Sequence, residues 1–138
     1  MTQENSKEAR NKALVQAAFD SWRDGTGSAF DLLDPDAEWT IVGSSPLSRT
    51  YKKAEFMKDV VAPFNARLAS HAVPHIHGIY ADGDMVVILY DATAIAIDGI
   101  PYSNRYAWFL QMKDGKVIKG TAFFDTRFYD ALWDRVKI

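Results

Sequence analysis

The chain has 138 residues, of which 48% are hydrophobic and 25% charged, a composition typical of one globular domain over residues 1–138. Its formal net charge is -2, and it has neither a basic stripe nor a long apolar run, so we expect no nucleic acid and no membrane as partner. The sequence contains no cysteine, which excludes disulfides and thiolate chemistry and favours a cytoplasmic protein.

The first half of the sequence predicts three helices and one strand. Asn5 followed by Glu8 fits a capping box, and the helix after it continues to the breaker sequence DGTG. Ser28 begins a second, short helix that stops near Pro35. The segment AEWTIV is a short strand and GSSPLSRT a loop. A third helix, with apolar residues at every fourth position, is expected to bend at Pro63, which has no amide hydrogen.

The second half has the pattern of strands, separated by three strong turn signals. These are the Asp-Gly pairs 82–83, 98–99 and 114–115. A terminal helix follows at RFYDALW. Helices followed by a strand meander predict an α+β fold, in which a curved antiparallel sheet wraps around the N-terminal helices.

The Asp-Gly pairs also fix the strand register if each forms a two-residue hairpin loop. In that register one face of the sheet carries a polar and aromatic set: Asp91, Thr93, Asn104, Tyr106, Trp108, Thr121, Phe123 and Asp125. The other face is apolar and rich in small residues, and we expect it to pack on a second copy of the chain as a homodimer. The alternative, a loop one residue wider at 98–99, would set Asp91 opposite Ala107 and bring Arg105 to the Asp91 side.

Asp91 lies in the middle of the apolar segment VVILYDATAIAI. An ionised carboxylate in an apolar interior is costly, so this acid must be paired, protonated or in contact with a cavity. The shared face favours a cavity in which Asp91 and Asp125 flank a small apolar organic ligand, one as base and the other as donor. Asn104 and Tyr106 would then stabilise the developing oxyanion. The structural alternatives are helix capping by Asp125, strand-end hydrogen bonds for Asn104, and pairing of Asp91 with Tyr106 or Arg105.

Aromatic side chains are expected to line this cavity and to bind the substrate: Phe19, Trp39, Tyr51, Phe56, Trp108 and Phe123. Their alternative is ordinary core packing, or a position at the solvent rim for Tyr51. No metal site is expected, because His75 and His77 fall on the face opposite Asp91 in this register. The sequence has no motif for a nucleotide cofactor or for covalent serine catalysis, so no cofactor is expected.

The order of these segments resembles a known family. EWTIVG, the PLSRTY loop, ADGDMVVILYDA, NRYAWFLQMKDGKVIK and a closing FFDT are similar to SnoaL-like polyketide cyclases and ketosteroid-isomerase-like proteins of the nuclear transport factor superfamily. The resemblance extends from about Lys12 to Trp133. It implies a cone of curved antiparallel sheet, closed by helices around a deep apolar pocket and commonly dimeric through the outer sheet face.

The family's catalytic residues carry over only in part. Limonene-epoxide-hydrolase-like members use an Asp, Arg, Asp set, but Leu89 stands here at the arginine position. Thr40 or Ile41 occupies the position of the ketosteroid isomerase base, and Phe19 lies near that of its tyrosine donor. SnoaL-like cyclases use a pocket aspartate as acid and base, a role that Asp91 or Asp125 would fill.

Residues and resemblance together favour a cofactor-free acid/base enzyme of the cyclase, isomerase or lyase type, acting on a small apolar molecule with a carbonyl group. The first alternative is a non-catalytic module that binds a small molecule or serves as a dimeric accessory protein. The second is an epoxide hydrolase of the limonene-epoxide-hydrolase type, which would need the cation of Arg105 on the Asp91 side.

Overall fold

Helices at both ends of the chain enclose one sheet. The computed structural model describes residues 6–138. Its helical elements are α1 (Lys7–Asp24), a 3₁₀ helix (Ala29–Leu32), α2 (Lys53–Phe56), a π-helical turn (Met57–Val61), α3 (Ala62–Ala66) and α4 (Thr126–Arg135). Its strands are β1 (Leu33–Ile41), β2 (Thr50–Lys52), β3 (Val73–Asp82), β4 (Met85–Ile95), β5 (Pro101–Lys113) and β6 (Lys116–Phe124). The predicted α+β fold is confirmed. Within the described residues no helix is long and apolar enough to cross a membrane.

The six strands form one open sheet in the order β2-β1-β6-β5-β4-β3. Neighbouring strands are antiparallel, as predicted, except that β1 and β6 run parallel. These two strands are far apart in the sequence and share no hairpin, so the chain does not constrain them to run antiparallel. Bulges in the β3–β4 and β5–β6 pairs add local twist and bend the sheet around the helices.

Helix α1 has a capping residue at each end. Ser6 is the N-cap, and its hydroxyl accepts a hydrogen bond from the Ala9 N–H at 3.0 Å. The capping role predicted for Asn5 lies outside the described residues. Gly25 ends the helix with a left-handed φ of 76°, inside the predicted breaker DGTG. The short helix predicted from Ser28 is the 3₁₀ helix, and both of its capping-box hydrogen bonds are formed.

The third predicted helix is continuous through α2, the π-helical turn and α3. Pro63, where the sequence predicts a bend, lies just after the π-helical turn, in which the Ala62 N–H bonds to the Met57 carbonyl five residues back. Because Pro63 has no N–H to donate, regular α-helical pairing cannot continue through it. The wider turn lets the helix continue past this position, and two of its residues, Val60 and Val61, line the internal cavity.

The β5–β6 hairpin has the predicted turn but not the predicted register. Lys113 opposes Lys116 across the Asp-Gly pair, whose two residues both have positive φ, 51° and 79°, as a tight hairpin turn requires. A bulge after Val117 then adds one residue to β6, so that Trp108 opposes Ala122 and not Thr121. Every β6 residue beyond the bulge therefore faces the side opposite to the one predicted.

The β4–β5 hairpin has a three-residue loop, so the predicted two-residue loop is wrong. The Ala96 N–H bonds to the Ile100 carbonyl at 3.1 Å, and the Gly99 N–H bonds to the Ala96 carbonyl at 2.9 Å. Gly99 has a φ of 85°, which completes a turn followed by a left-handed glycine, the usual form of a three-residue loop. As a result Asp91 opposes Arg105. The wider-loop alternative is therefore right that Arg105 lies on the Asp91 side, and wrong that Ala107 opposes Asp91.

The β3–β4 hairpin is shifted as well. Asp82 opposes Met85, so the turn lies one position later than predicted, and a bulge at His77 shifts the register again. His75 opposes Asp91, and His77 contacts the same carboxylate. The prediction that the two histidines lie on the face opposite Asp91 is therefore wrong.

These shifts decide which side chains face the helices. On the concave face, β4 and β5 carry Ile88, Tyr90, Ala92, Asn104, Tyr106 and Trp108, all of them buried. On the outer face the same strands carry Asp91, Thr93, Arg105, Ala107 and Phe109. Asn104, Tyr106 and Trp108 thus share a face as predicted. Placing Asp91 and Thr93 on that face is wrong, because the longer loop moves β5 by one residue.

Candidate ligand-binding cavity

A cavity of about 200 Å³ lies between the concave face of the sheet and the helices. Its wall is largely aromatic, with rings from helices and strands: Trp22, Phe30, Trp39, Phe56, Trp108 and Phe124. Ala92 and Ala122, both buried, line it between these rings. Their small side chains leave the space open, because a larger group at either position would project into it.

Trp39 forms one corner of the cavity wall. Its ring stacks on Phe56 with centroids 5.2 Å apart and meets the edge of Trp108 at 4.8 Å. The indole lies against the backbone of Gly120 on β6, so closely that a Cβ at this glycine would overlap the ring. Gly120 therefore sets how deep Trp39 lies. These three aromatic residues line the cavity, where the sequence places them.

The other three aromatic residues predicted to bind substrate do not line the cavity. Phe19 is buried behind it, with its ring edge against Tyr90 and Trp108. Tyr51 is also buried, and its hydroxyl donates to the Leu47 carbonyl at 2.6 Å. Phe123 is 45% exposed on the outer face, because the β6 bulge turns it away from the cavity.

Two tyrosines stand side by side in the cavity wall. Tyr90 and Tyr106 oppose each other on β4 and β5, and their rings are parallel within 6° with centroids 5.0 Å apart. Tyr90 is 1% exposed and its hydroxyl bonds to no described residue. In the described part of the chain, the Trp133 indole N–H is the only buried side-chain polar atom that has neither solvent access nor a hydrogen-bond partner. The Tyr90 hydroxyl also has no partner, so it must be accessible. The Tyr90 hydroxyl therefore opens into the cavity that its ring lines.

Asn104 orders the hydrogen bonds behind Tyr106. Its side-chain oxygen accepts from the backbone N–H groups of Arg105, at 2.9 Å, and Asp125, at 3.3 Å. The amide nitrogen donates to the Asp125 carbonyl and to the Tyr102 hydroxyl, both at 2.9 Å. Two backbone donors on the oxygen fix the orientation of the amide, so the group facing Tyr102 is the N–H.

This arrangement also fixes the direction of the next hydrogen bond. The hydroxyls of Tyr102 and Tyr106 are 2.7 Å apart, and Tyr102 already accepts from Asn104. If Tyr102 donates to Tyr106, every polar atom of Tyr102 has a partner and the hydroxyl hydrogen of Tyr106 is free for the cavity. In the opposite direction the Tyr102 hydrogen would be buried without an acceptor, which is costly. With this direction the chain Asn104, Tyr102, Tyr106 leaves the hydroxyl hydrogen of Tyr106, a residue that lines the cavity, without a partner among the three.

Burial keeps these phenols neutral. Loss of hydration is the main cause that raises the pKa of Tyr102, to about 12, and that raises the pKa values of Tyr90 and Tyr106 well above the usual range. At neutral pH the cavity therefore presents hydroxyl donors and no phenolate.

The two predicted acids lie outside the cavity. Asp125 caps α4, where its carboxylate accepts from the Arg127 N–H at 3.0 Å, and its side chain is exposed. Its backbone rather than its carboxylate bonds to Asn104. The capping alternative is confirmed for Asp125, and so is the strand-end alternative for Asn104.

Asp91 belongs to a charged cluster on the outer face. Arg105 binds its carboxylate with two N–H groups, at 2.7 and 3.2 Å, and His77 Nε2 lies 2.9 Å from the same group. Hydrogen bonds from Arg105 first, and then from His77, hold the pKa of Asp91 well below its usual value. The predicted cavity role of Asp91 therefore has no geometric basis, and the pairing with Arg105 is confirmed. An epoxide-hydrolase site loses its basis too, because acid and cation are both outside.

Sequence reasoning missed five polar residues of the cavity lining: Ser28, Asn65, His71, Tyr90 and Tyr129. Tyr90 directly precedes Asp91, so a one-residue error in register exchanged them. His71 lies before β3 at the cavity rim, in a segment without periodicity.

None of the described lining residues is Asp or Glu. Within residues 6–138, no three His, Cys, Asp or Glu side chains are grouped to hold a metal ion.

Comparison with known proteins agrees with this architecture. A family model for the SnoaL-like domain matches residues 15–120, while a search of curated proteins finds no match. Bal32a from a soil-derived mobile gene cassette is 20% identical, with 93% of this chain and 99% of that chain covered and a TM-score of 0.76. A putative SnoaL-like polyketide cyclase from Jannaschia sp. CCS1 is 16% identical, with 99% and 100% covered and a TM-score of 0.73. TerC co-crystallised with polyporic acid is 21% identical, with 89% and 97% covered and a TM-score of 0.72. At these identities the structures show the shared fold alone.

Proposed function

This chain belongs to the SnoaL-like domain family, and from that premise we propose that its cavity binds a small, flat, apolar molecule through a carbonyl oxygen and promotes cofactor-free enolisation. The observation that carries the proposal is that Tyr106 lines the cavity while Asn104 and Tyr102 are bonded behind it, an arrangement in which the Tyr106 hydroxyl can donate to a ligand. Enolisation is the step that cyclase and isomerase reactions at carbonyl compounds have in common.

The physical basis is the stabilisation of negative charge by fixed donors. When a carbonyl compound loses a hydrogen from the neighbouring carbon, charge develops on its oxygen. A hydroxyl that is already oriented stabilises this charge more strongly in a cavity without bulk water than in solution. Each member of the chain Asn104, Tyr102, Tyr106 polarises the next, which strengthens the last donor.

Tyr90 supplies a second donor for the same oxygen. Its ring is parallel to that of Tyr106 on the adjacent strand, so we expect the two hydroxyls to be on the order of 5 Å apart. One ligand oxygen placed between them can accept from both. A cavity of about 200 Å³ suits a molecule of one or two small rings, since an engineered apolar cavity of roughly 150 Å³ holds benzene.

The binding test uses 2-indanone and indane, which share a ring system and differ in the carbonyl oxygen. We expect 2-indanone to bind more tightly by calorimetry. Tyr106→Phe should weaken its binding about 5- to 10-fold, the value of one hydrogen bond, and leave indane unchanged. Tyr80→Phe is the matched control, because Tyr80 is 60% exposed. Equal affinity of the two probes for the unchanged protein would refute recognition through the carbonyl.

A second pair of variants tests whether the probe occupies this cavity. Ala122→Leu fills space beside Phe124, and we expect it to abolish binding of both probes. Ala107→Leu adds the same volume on the outer face and should leave binding unchanged. Retained binding in Ala122→Leu would place the ligand elsewhere.

The second candidate function is binding without chemistry. It is favoured by one observation, the lack of any carboxylate among the described lining residues. A cavity of this kind would bind both carbonyl and alcohol forms of a ligand and would not exchange its hydrogens with water. Exchange of the ligand's hydrogens with D₂O separates the two functions, because only a cavity that promotes enolisation catalyses it.

We also propose that a second copy of the chain covers the outer face. Phe109 and Phe123 are 37% and 45% exposed there, with ring centroids 5.5 Å apart. Asp91 and Arg105 lie on the same face, so a copy related by two-fold symmetry can bring acid to base around the apolar pair. Analytical ultracentrifugation should show a dimer that Phe123→Asp dissociates. Phe128→Asp, which changes an exposed residue of α4, is the control.

A further inference from the structure

Enolisation requires a group that accepts the hydrogen ion, and the cavity holds one candidate of the right type. Tyr90, Tyr106 and Tyr129 line the cavity, but burial raises the pKa of each phenol, so none is a base at neutral pH. The lining has no carboxylate among the described residues. His71 lies at the rim, and the imidazole is the side chain best suited to exchange hydrogen ions near neutral pH.

His71 contacts a backbone carbonyl that is left without a backbone partner at the C-terminal end of α1. The N–H groups of Gly25, Thr26 and Gly27 bond to the carbonyls of Ser21 and Trp22, which leaves the Arg23 carbonyl without a backbone partner. His71 Nε2 lies 3.4 Å from that carbonyl oxygen.

This contact favours one tautomer of the ring. A carbonyl oxygen can only accept, so a hydrogen bond between these two atoms requires the hydrogen on Nε2 and leaves Nδ1 with its lone pair. In that tautomer the neutral ring can act as a base through Nδ1.

His71 lies at the carbonyl end of α1. The charged side chains at this end, Arg23, Asp20 and Asp24, pair with one another. Across the cavity the titratable groups are the neutral tyrosines.

We propose that His71 is the catalytic base of the cavity, an inference that rests on the proposed function. Nδ1 takes a hydrogen ion from the carbon next to the carbonyl, and the electrons of the broken C–H bond form the C=C bond of an enolate. The carbonyl electrons move to the oxygen, which accepts hydrogen bonds from Tyr90 and Tyr106. Return of a hydrogen ion from Nδ1 to the carbon regenerates the ketone, so no oxidant, reductant or cofactor is needed.

The test follows deuterium exchange into 2-indanone in D₂O by NMR. The unchanged protein should exchange the hydrogens next to the carbonyl faster than buffer alone. His71→Gln should lower the protein-dependent rate about 100-fold or more, the usual size of a general-base contribution, while the affinity for 2-indanone changes less than about 2-fold. His75→Gln on the outer face is the matched control and should exchange normally.

Two further readouts distinguish a base from a structural residue. In His71→Ala, added imidazole should restore part of the exchange rate. The dependence of the exchange rate on pH should also differ between the unchanged protein and His71→Gln.

The outcomes separate the two proposals. Normal exchange in His71→Gln would overturn the role of His71 and leave carbonyl binding intact. Tight binding of 2-indanone without exchange in the unchanged protein would also overturn it, and would favour binding without chemistry. Failure of 2-indanone to bind at all would refute the proposed function, and the role of His71 with it.

Discussion

The polar groups on the two faces of the β4–β5 hairpin differ in charge and in exposure to water. On the outer face Asp91 and Arg105 are charged, and the side chain of Arg105 is 64% exposed to water. On the concave face Tyr90, Tyr106 and Asn104 are neutral and almost completely buried. The side chains that water reaches are charged. The buried side chains are neutral hydroxyl and amide groups, and their hydrogen bonds form a chain that ends at the cavity. Because adjacent residues alternate between these environments, a shift of one position decides whether the cavity contains an acid or a phenol.

The strongest test of this contrast replaces Asn104. Asn104→Leu removes four hydrogen bonds and leaves two backbone N–H groups, a carbonyl and the Tyr102 hydroxyl without this partner. We expect the free energy of unfolding to fall by about 3 kcal/mol in urea titrations. Arg105→Leu, one residue along the strand, should change stability far less. Equal losses in the two variants would break the contrast between buried and exposed polar groups.

The next test addresses the cavity wall. Gly120→Ala places a methyl group where the Trp39 indole lies, so the ring must move into the cavity or the strands must separate. We expect a loss of about 2 kcal/mol in unfolding free energy, within the range for overpacking, and weaker binding of 2-indanone. Thr121→Ala on the other face is the control. Unchanged stability and binding would mean that Gly120 does not set the depth of Trp39.

A smaller effect is expected for Asp125, and it separates capping from a role in the cavity. Asp125→Ala should cost about 1 kcal/mol, because the N-terminus of α4 loses its acceptor. Asp125→Asn should retain most of the capping and leave the exchange of 2-indanone unchanged. If Asp125→Asn is stable but no longer exchanges 2-indanone, the carboxylate acts on the ligand after all.

The smallest effect is expected for Asp91. Its pKa is lowered in the folded state, so the ionised pair stabilises the fold above the unfolded value of about 4 and loses this effect as the pH falls below it. Asp91→Asn should therefore cost less than about 1 kcal/mol at neutral pH, since the cluster is solvated, and nothing in strong acid. Urea titrations at several pH values measure the unfolding free energy of Asp91→Asn. A large loss of unfolding free energy at pH 7, or loss of 2-indanone exchange, would contradict the assignment of Asp91 to the outer face.

The fold was predictable from the sequence because its signals are local. Capping at Ser28, the turn at residues 114–115 and the alternating strands all depend on neighbouring residues. Which face of the sheet each side chain lies on was not predictable in the same way, because it depends on the exact strand register. An Asp-Gly pair fits a two-residue loop and also a three-residue loop that ends in a left-handed glycine, and residues 98–99 adopt the second.

The candidate site was predicted only in part for the same reason. The bulges at His77 and after Val117 each move the register by one residue, and no residue type in the sequence marks them. Tyr106, Trp39 and Trp108 line the cavity, whereas Asp91 and Phe123 lie on the outer face. His71 depends on a contact between segments far apart in the chain, which local patterns do not report.

The aromatic wall of the cavity also determines how the protein emits light. Three of the four tryptophans, Trp22, Trp39 and Trp108, line the cavity, while Trp133 lies against the guanidinium of Arg67. Indole emission depends on the polarity around the ring and is quenched by nearby carbonyl groups. We therefore expect the intrinsic fluorescence of this protein to change when a ketone enters the cavity, so that binding can be followed without a label.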